Sequence, residues 1–165
     1  MAKIYLGLGS NVEPEKYLQL GIRELCLRFG VLEMSNIYRS KAVGFDGADF
    51  LNLVLGFDSD MSASEIHQVI EDIHAAAGRQ RDESRYSART LDIDLLLYGD
   101  LVLDAAPIRV PRTDILKYSF VLGPLAEIAS DMRHPETGRL IADHWAEFDK
   151  SSHPLVAVSV NSTNQ

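Results

Sequence analysis

A single cysteine, Cys26, in 165 residues leaves no partner for an intrachain disulfide and no thiolate set for zinc, which suits a reducing compartment. It is expected on the apolar side of a helix. Nor does any uninterrupted apolar run approach the ~18 residues of a membrane helix, and the opening MAKIYLGLGS carries one lysine and only a short apolar stretch, unlike a secretion signal. The expectation is a soluble, cytoplasmic protein with no membrane partner. Basic residues are scarce too: 16 Lys and Arg against 24 Asp and Glu leave a formal net charge of -8, which argues against a broad surface for nucleic acid or anionic lipid. There is no internal repeat and no low-complexity tract.

What is present is a 46% hydrophobic composition, sufficient for one domain over residues 1–150, followed by a short tail over 151–165. Ile4, Leu6 and Leu8 alternate with Tyr5 and Gly7, predicting a strand that stops at Gly9-Ser10-Asn11, a tight turn that needs no ligand to explain it. Leu18, Ile22, Leu25 and Phe29 recur at helical spacing between Pro14 and Gly30, residues placed to start and end a helix. A second strand is expected within 31–39, a loop over 40–49 and a strand over 50–57. Ser62 and Glu65 then form a capping-box pattern ahead of the helical face Ile66, Val69, Ile70, Ile73 and Ala77.

Residues 90–98 are the most strand-like in the chain, and Gly99-Asp100 is expected to turn them into a hairpin with 101–103. Residues 108–111 read as extended. A compact apolar helix or turn is expected over 120–128, with Pro124 near its start, and a short helical stretch over 140–148 with Trp145 packing inward. Strand, helix, strand, strand, helix, strand is the order of an α+β, ferredoxin-like split βαβ core, here with strands and helices appended. Its two long helices should cover one side of the sheet and leave the other free for a ligand.

The chemistry concentrates where an arginine run meets that fourth core strand. Leu91, Ile93, Leu95 and Leu97 are expected on one face and Asp92 and Asp94 on the other, with aspartate Cβ atoms about 7 Å apart. Two such carboxylates raise each other's proton affinity unless a cation lies between them, and magnesium, a hard ion that shares carboxylate and phosphate oxygens, suits the site. A solvated polar face, or salt bridges with neighbouring arginines, is the lesser alternative for a D-x-D on its own. Arg79, Arg81, Arg85 and Arg89 supply planar donor forks that match phosphate; a solvated loop balanced by Asp82 and Glu83 accounts equally well for any one of them but less well for the cluster. Carboxylates and arginines together suggest phosphoryl chemistry on a nucleotide-like substrate. Asn52 could bond a heterocycle edge or merely a backbone group. The histidines show no ligand spacing, and His67 and His74 are expected at the surface.

With these residues in view, the chain resembles the 6-hydroxymethyl-7,8-dihydropterin pyrophosphokinase family over residues 2–148. The resemblance is carried by Gly9-Ser10-Asn11, Tyr38-Arg39-Ser40, Phe50-Leu51-Asn52, Gly78-Arg79, the RTLDID run from Arg89 to Asp94, Val110-Pro111, Phe120 and Pro124-Leu125. It implies that Asp92 and Asp94 hold two Mg2+ ions against the phosphates of ATP. Arg79 and Arg89 would lie near the triphosphate, and Arg81 and Arg85 would belong to a catalytic loop. Asn52 would bond the pterin, with Val43, Phe50, Tyr86 and the stacking ring of Phe120 around it. The reaction implied is attack of the pterin hydroxymethyl oxygen on the β-phosphorus, releasing AMP, in a protein that is a monomer by family likeness. Departures are Lys41-Ala42 for a proline pair, His74 for a carboxylate, Tyr86 for tryptophan, and Tyr118 for a basic residue. Arg112-Thr113 stands in place of a histidine and its neighbour, and Arg112 would meet phosphate as a permanent charge. The alternatives are a divergent paralogue acting on another heterocyclic alcohol and a ferredoxin-like module for single-stranded nucleic acid, which the acidic face opposes.

Overall fold

The computed structural model describes residues 1–44, 46–78, 90–151 and 154–158. Strand β1 (Ala2–Ser10) leads into helix α1 (Pro14–Phe29), which begins on its proline and stops at Gly30, whose φ of 80° favours glycine. The segment predicted as one strand forms two pieces, β2 (Glu33–Met34) and β3 (Ile37–Ser40). After β4 (Phe50–Ser59) the predicted capping box opens α2 (Ala63–Ala76): Ser62 Oγ accepts the Glu65 amide at 3.2 Å, and Glu65 Oε1 accepts the Ser62 amide at 3.0 Å. Such a cap contributes about 1 kcal/mol. Strand β5 (Asp92–Tyr98) completes the core.

The main sheet runs β5-β1-β4-β3, with β2 also beside β4, so the split βαβ order expected from the sequence is the one adopted. All these pairings are antiparallel, and β1 pairs with β4 from Ala2↔Ser59 to Ser10↔Leu51. Strand β8 (Val156–Val158), from the segment expected to be a tail, adds to the far edge by pairing with β3. On one face Leu6, Leu8, Leu55, Phe57 and Ile93 bury against Leu18 and Leu25 of α1 and Ile66 and Ile73 of α2. Cys26, one position past Leu25, lies about 100° around the helix and is exposed, contrary to expectation.

The second face is not left wholly free. Helices α3 (Ser119–Ile128) and α4 (Ile141–Glu147) pack Leu122, Leu125 and Ile141 on Tyr5, Val54, Leu96 and Leu97, with Trp145 turned inward as predicted. Pro124 sits inside α3 rather than near its start. Leu97 therefore faces the side opposite to the one expected. The register slips between Tyr5↔Leu97 and Leu6↔Leu95, so Leu96 is an extra residue and the period-two alternation inverts beyond it. The hairpin after β5 also differs. Strand β6 (Leu103–Ala105) pairs with β7 (Ile108–Val110) as a separate two-stranded sheet, and not with β5.

Candidate active site

The bulge at Leu96 lies beyond the aspartates, so Asp92 and Asp94 keep the common orientation that alternation predicts. Both are half-exposed. In register they stand opposite Gly9 and Gly7 of β1, and across β1 those glycines meet Asn52 and Val54 of β4. One row of the sheet thus reads Asp92, Gly9, Asn52, Tyr38. Glycine at the second position keeps the floor between carboxylate and amide at backbone height. A Cβ on Gly9 would lie 3.0 Å from Asn52 Oδ1 and 3.7 Å from the Phe50 ring. Asn52 is buried, and its Nδ2 donates to Ser40 Oγ at 2.7 Å, which turns its carbonyl oxygen toward Gly9. The choice left open by composition is thereby narrowed, because the amide is anchored through its nitrogen to another side chain.

The other residues singled out from the sequence lie on three further segments. Asn11, buried at the end of the Gly9-Ser10-Asn11 turn, donates through Nδ2 to the Ala48 carbonyl at 3.1 Å, tying the loop that carries Val43 to β1. Val43 is exposed and Phe50 half-buried. Phe120, half-buried at the start of α3, stacks on Tyr118 with ring centroids 5.0 Å apart. Arg79, Arg81, Arg85, Tyr86 and Arg89 lie outside the described residues. The described ends that flank them adjoin: Thr90 Oγ1 donates to the Ala77 carbonyl at 3.1 Å, close to the start of β5.

Arg112 reaches the acidic pair directly. Its guanidinium lies 3.4 Å from Asp94 Oδ1 and donates through Nε to Asp114 Oδ2 at 3.3 Å, while its amide donates to the Leu96 carbonyl at 2.9 Å. Burial opposes its charge, but Asp94, Asp114 and Asp92 outweigh that and hold its pKa above the ordinary arginine value. Beside β5 is a cleft of ≈ 140 Å³ lined by Ile70, His74, Asp92, Asp94, Ile108 and Arg112, among others. The surface exposed in this cleft is mainly polar, with Ile70 and Ile108 among the apolar residues beside its charged groups.

Sequence reasoning placed His74 at the surface, whereas it is 4% exposed and its Nε2 accepts the Ile93 amide at 2.9 Å. Its Nδ1 is 3.4 Å from Glu71 Oε1. The only signal in the sequence was its spacing four residues from Ile70 and one from Ile73 on the buried side of α2. Among the described residues no group of three or more His, Cys, Asp or Glu could enclose a metal, and Asp92 and Asp94 present two carboxylates from the same strand. That donor set fits magnesium, which keeps several waters and completes its octahedron with substrate phosphate.

The family model for 7,8-dihydro-6-hydroxymethylpterin-pyrophosphokinase (HPPK) matches residues 5–130. A 2-amino-4-hydroxy-6-hydroxymethyldihydropteridine pyrophosphokinase of Synechocystis sp. is 39% identical over 147 residues, covering 87% of this chain and 75% of that protein. One from Aquifex aeolicus is 35% identical over 137 residues, covering 82% of this chain and 85% of its own length. Among solved structures, Plasmodium falciparum HPPK-DHPS superposes with a TM-score of 0.68 at 11% identity, over 88% of this chain. The chain spans 44% of that protein, and the likeness concerns the fold alone. With the family model matching residues 5–130 and relatives 39% and 35% identical over most of the chain, the chain belongs to the 7,8-dihydro-6-hydroxymethylpterin-pyrophosphokinase family.

Proposed function

We propose that the protein transfers pyrophosphate from ATP to the hydroxymethyl oxygen of 6-hydroxymethyl-7,8-dihydropterin in a magnesium-dependent reaction, as a cytoplasmic monomer. The observation that carries this reading is the row in which Asp92 faces Asn52 across bare Gly9 backbone, with Asp94 and Arg112 beside it. An acidic cation site and an amide suited to a heterocycle share one floor. The pterin would lie over Gly9, bonded by Asn52 and bounded by Val43, Phe50, Tyr86 and Phe120. The adenine would enter the cleft beside β5, between Ile70 and Ile108.

In this arrangement the hydroxymethyl oxygen forms a bond to the β-phosphorus as the bond from that phosphorus to the α-phosphate bridging oxygen breaks, and AMP leaves. Two Mg2+ ions, when bound, offset charge on the phosphates. Asp92 and Asp94 would hold those ions and so orient the phosphate end, and Asp94 would be the nearest equivalent of a hydroxyl-activating group, mainly through the ion it holds. Arg112 offers a permanent guanidinium at the lip, while Arg79, Arg81, Arg85 and Arg89 provide further forks for charge building on the β- and γ-phosphoryl oxygens. Positioning and electrostatics are sufficient for such a transfer, without a strong side-chain base.

Calorimetry with magnesium and a non-hydrolysable ATP analogue, followed by the pterin, tests both substrates together with an assay of AMP release. Magnesium-dependent nucleotide binding, then pterin binding, then stoichiometric AMP are expected. Nucleotide binding indifferent to magnesium, or pterin turnover without AMP, would reject the proposal. Robust turnover only with a different heterocyclic alcohol would move the protein to a paralogous substrate.

A further inference from the structure

We infer that His74 is a positioning residue for the Asp92 and Asp94 carboxylates, acting through the Ile93 amide between them. This rests on the reading of that pair as the metal site. β5 ends the sheet, with β1 on its inner side. In an antiparallel ladder successive residues turn their amides alternately toward the neighbouring strand and away from it. The Ile93 N–H points outward, to His74 Nε2 at 2.9 Å, so the amides of Asp92 and Asp94 turn inward toward Gly9 and Gly7.

The backbone carrying the carboxylates is therefore held from three directions. β1 holds the two aspartate amides, the core holds the Ile93 side chain, which is 2% exposed, and α2 holds the amide between them through a buried imidazole. The ring has a fixed role at each nitrogen. Nε2 accepts, so Nδ1 carries the proton and faces Glu71 Oε1 at 3.4 Å. A water could satisfy an edge amide equally well, but water would leave the strand free to shift. A side chain rooted in a helix ties its position to α2. Two carboxylates that share cations with a bound phosphate must keep their geometry to within about 0.5 Å, which gives this tie a functional consequence. His74 also lines the same cleft as both aspartates.

The test is Mn2+ binding to the full chain in the presence of a non-hydrolysable ATP analogue, followed by electron paramagnetic resonance. His74→Leu removes the acceptor and should weaken Mn2+ binding about 10-fold or more, the usual cost of losing an outer-sphere partner. His74→Gln places Oε1 where Nε2 was, and should recover most of that affinity. Wild-type affinity in His74→Leu, or an equal loss in His74→Gln, would overturn the inference. A second measurement needs no variant: a scalar coupling across the hydrogen bond between the Ile93 amide and His74 Nε2 is expected in the wild-type nuclear magnetic resonance spectrum, and its absence would also overturn it. Asp94→Asn separates the two claims. If Mn2+ binding survives that change, the metal reading itself fails, whatever the His74 variants do.

Discussion

Replacing Asp94 with alanine should abolish turnover while leaving the fold almost as stable as before. The stability side follows from the surroundings of the side chain. Its described ion pair is with Arg112 at 3.4 Å, and the two side chains are 30% and 34% exposed. Solvent screening at that exposure reduces the pair to roughly 0.2–1 kcal/mol. Arg112 keeps Asp114 at 3.3 Å, so its charge is not stranded, and loss of Asp94 also relieves repulsion with Asp92. No core cavity forms, because Asp94 lies on the face away from the α1 and α2 cluster. A loss of about 1 kcal/mol corresponds to a fall of roughly 2–4 °C in Tm for a domain of this size. The catalytic side is much larger. A metal that stabilises transferring phosphate contributes several kcal/mol, and each 1.36 kcal/mol is about tenfold in rate, so turnover should fall at least about 1,000-fold. AMP release and thermal unfolding of the same preparation measure the two together. Near wild-type activity would refute the metal assignment. A Tm lower by more than about 8 °C alongside lost activity would make Asp94 structural and the argument from exposure wrong.

The pterin floor and the pH response of the fold can be checked separately. Gly9→Ala places a methyl 3.0 Å from Asn52 Oδ1 and strains the 2.7 Å bond from Asn52 to Ser40. Loss of that bond, worth about 0.5–1.5 kcal/mol, should raise the KM for pterin roughly 2- to 12-fold with little change in kcat, and an unaltered pterin KM would remove Gly9 from the floor. His134 is buried, and burial with His144 nearby holds its pKa below the ordinary histidine range. Its unfolded counterpart takes up a proton first as acid is added, so this contribution to stability is intact above about pH 6.5 and is lost as pH falls through the folded value. Urea unfolding at pH 7.5 and 5.5 should show that loss, and His134→Asn, which keeps an acceptor near the Glu136 and Thr137 amides, should lessen it. An identical pH dependence in the variant would assign the effect elsewhere.

Much of the core was legible in the chain because it is written in local terms. Alternation in β1 and β5, Pro14 and Gly30 around α1, and the Ser62–Glu65 cap all act over a few residues, where torsional preference and solvent exposure are decided. The common direction of Asp92 and Asp94 belongs to the same class, since side chains two apart on a strand point the same way. The family likeness adds to this, because RTLDID is itself a local run. Other features required neighbours that the sequence does not name. The extra residue at Leu96 turned Leu97 to the second face, β6 chose β7 over β5, and residues 156–158 crossed to β3. His74 looked like a surface histidine until β5 proved to be the edge strand beside α2, and Arg112 gained Asp94 only through the path of the chain after β7. The Gly9 floor depends on register across three strands. Period and capping bias the conformation of each segment alone, whereas register, edges and ion pairs are set by whichever arrangement buries the most apolar surface with its polar groups bonded, a minimum shared by the whole chain.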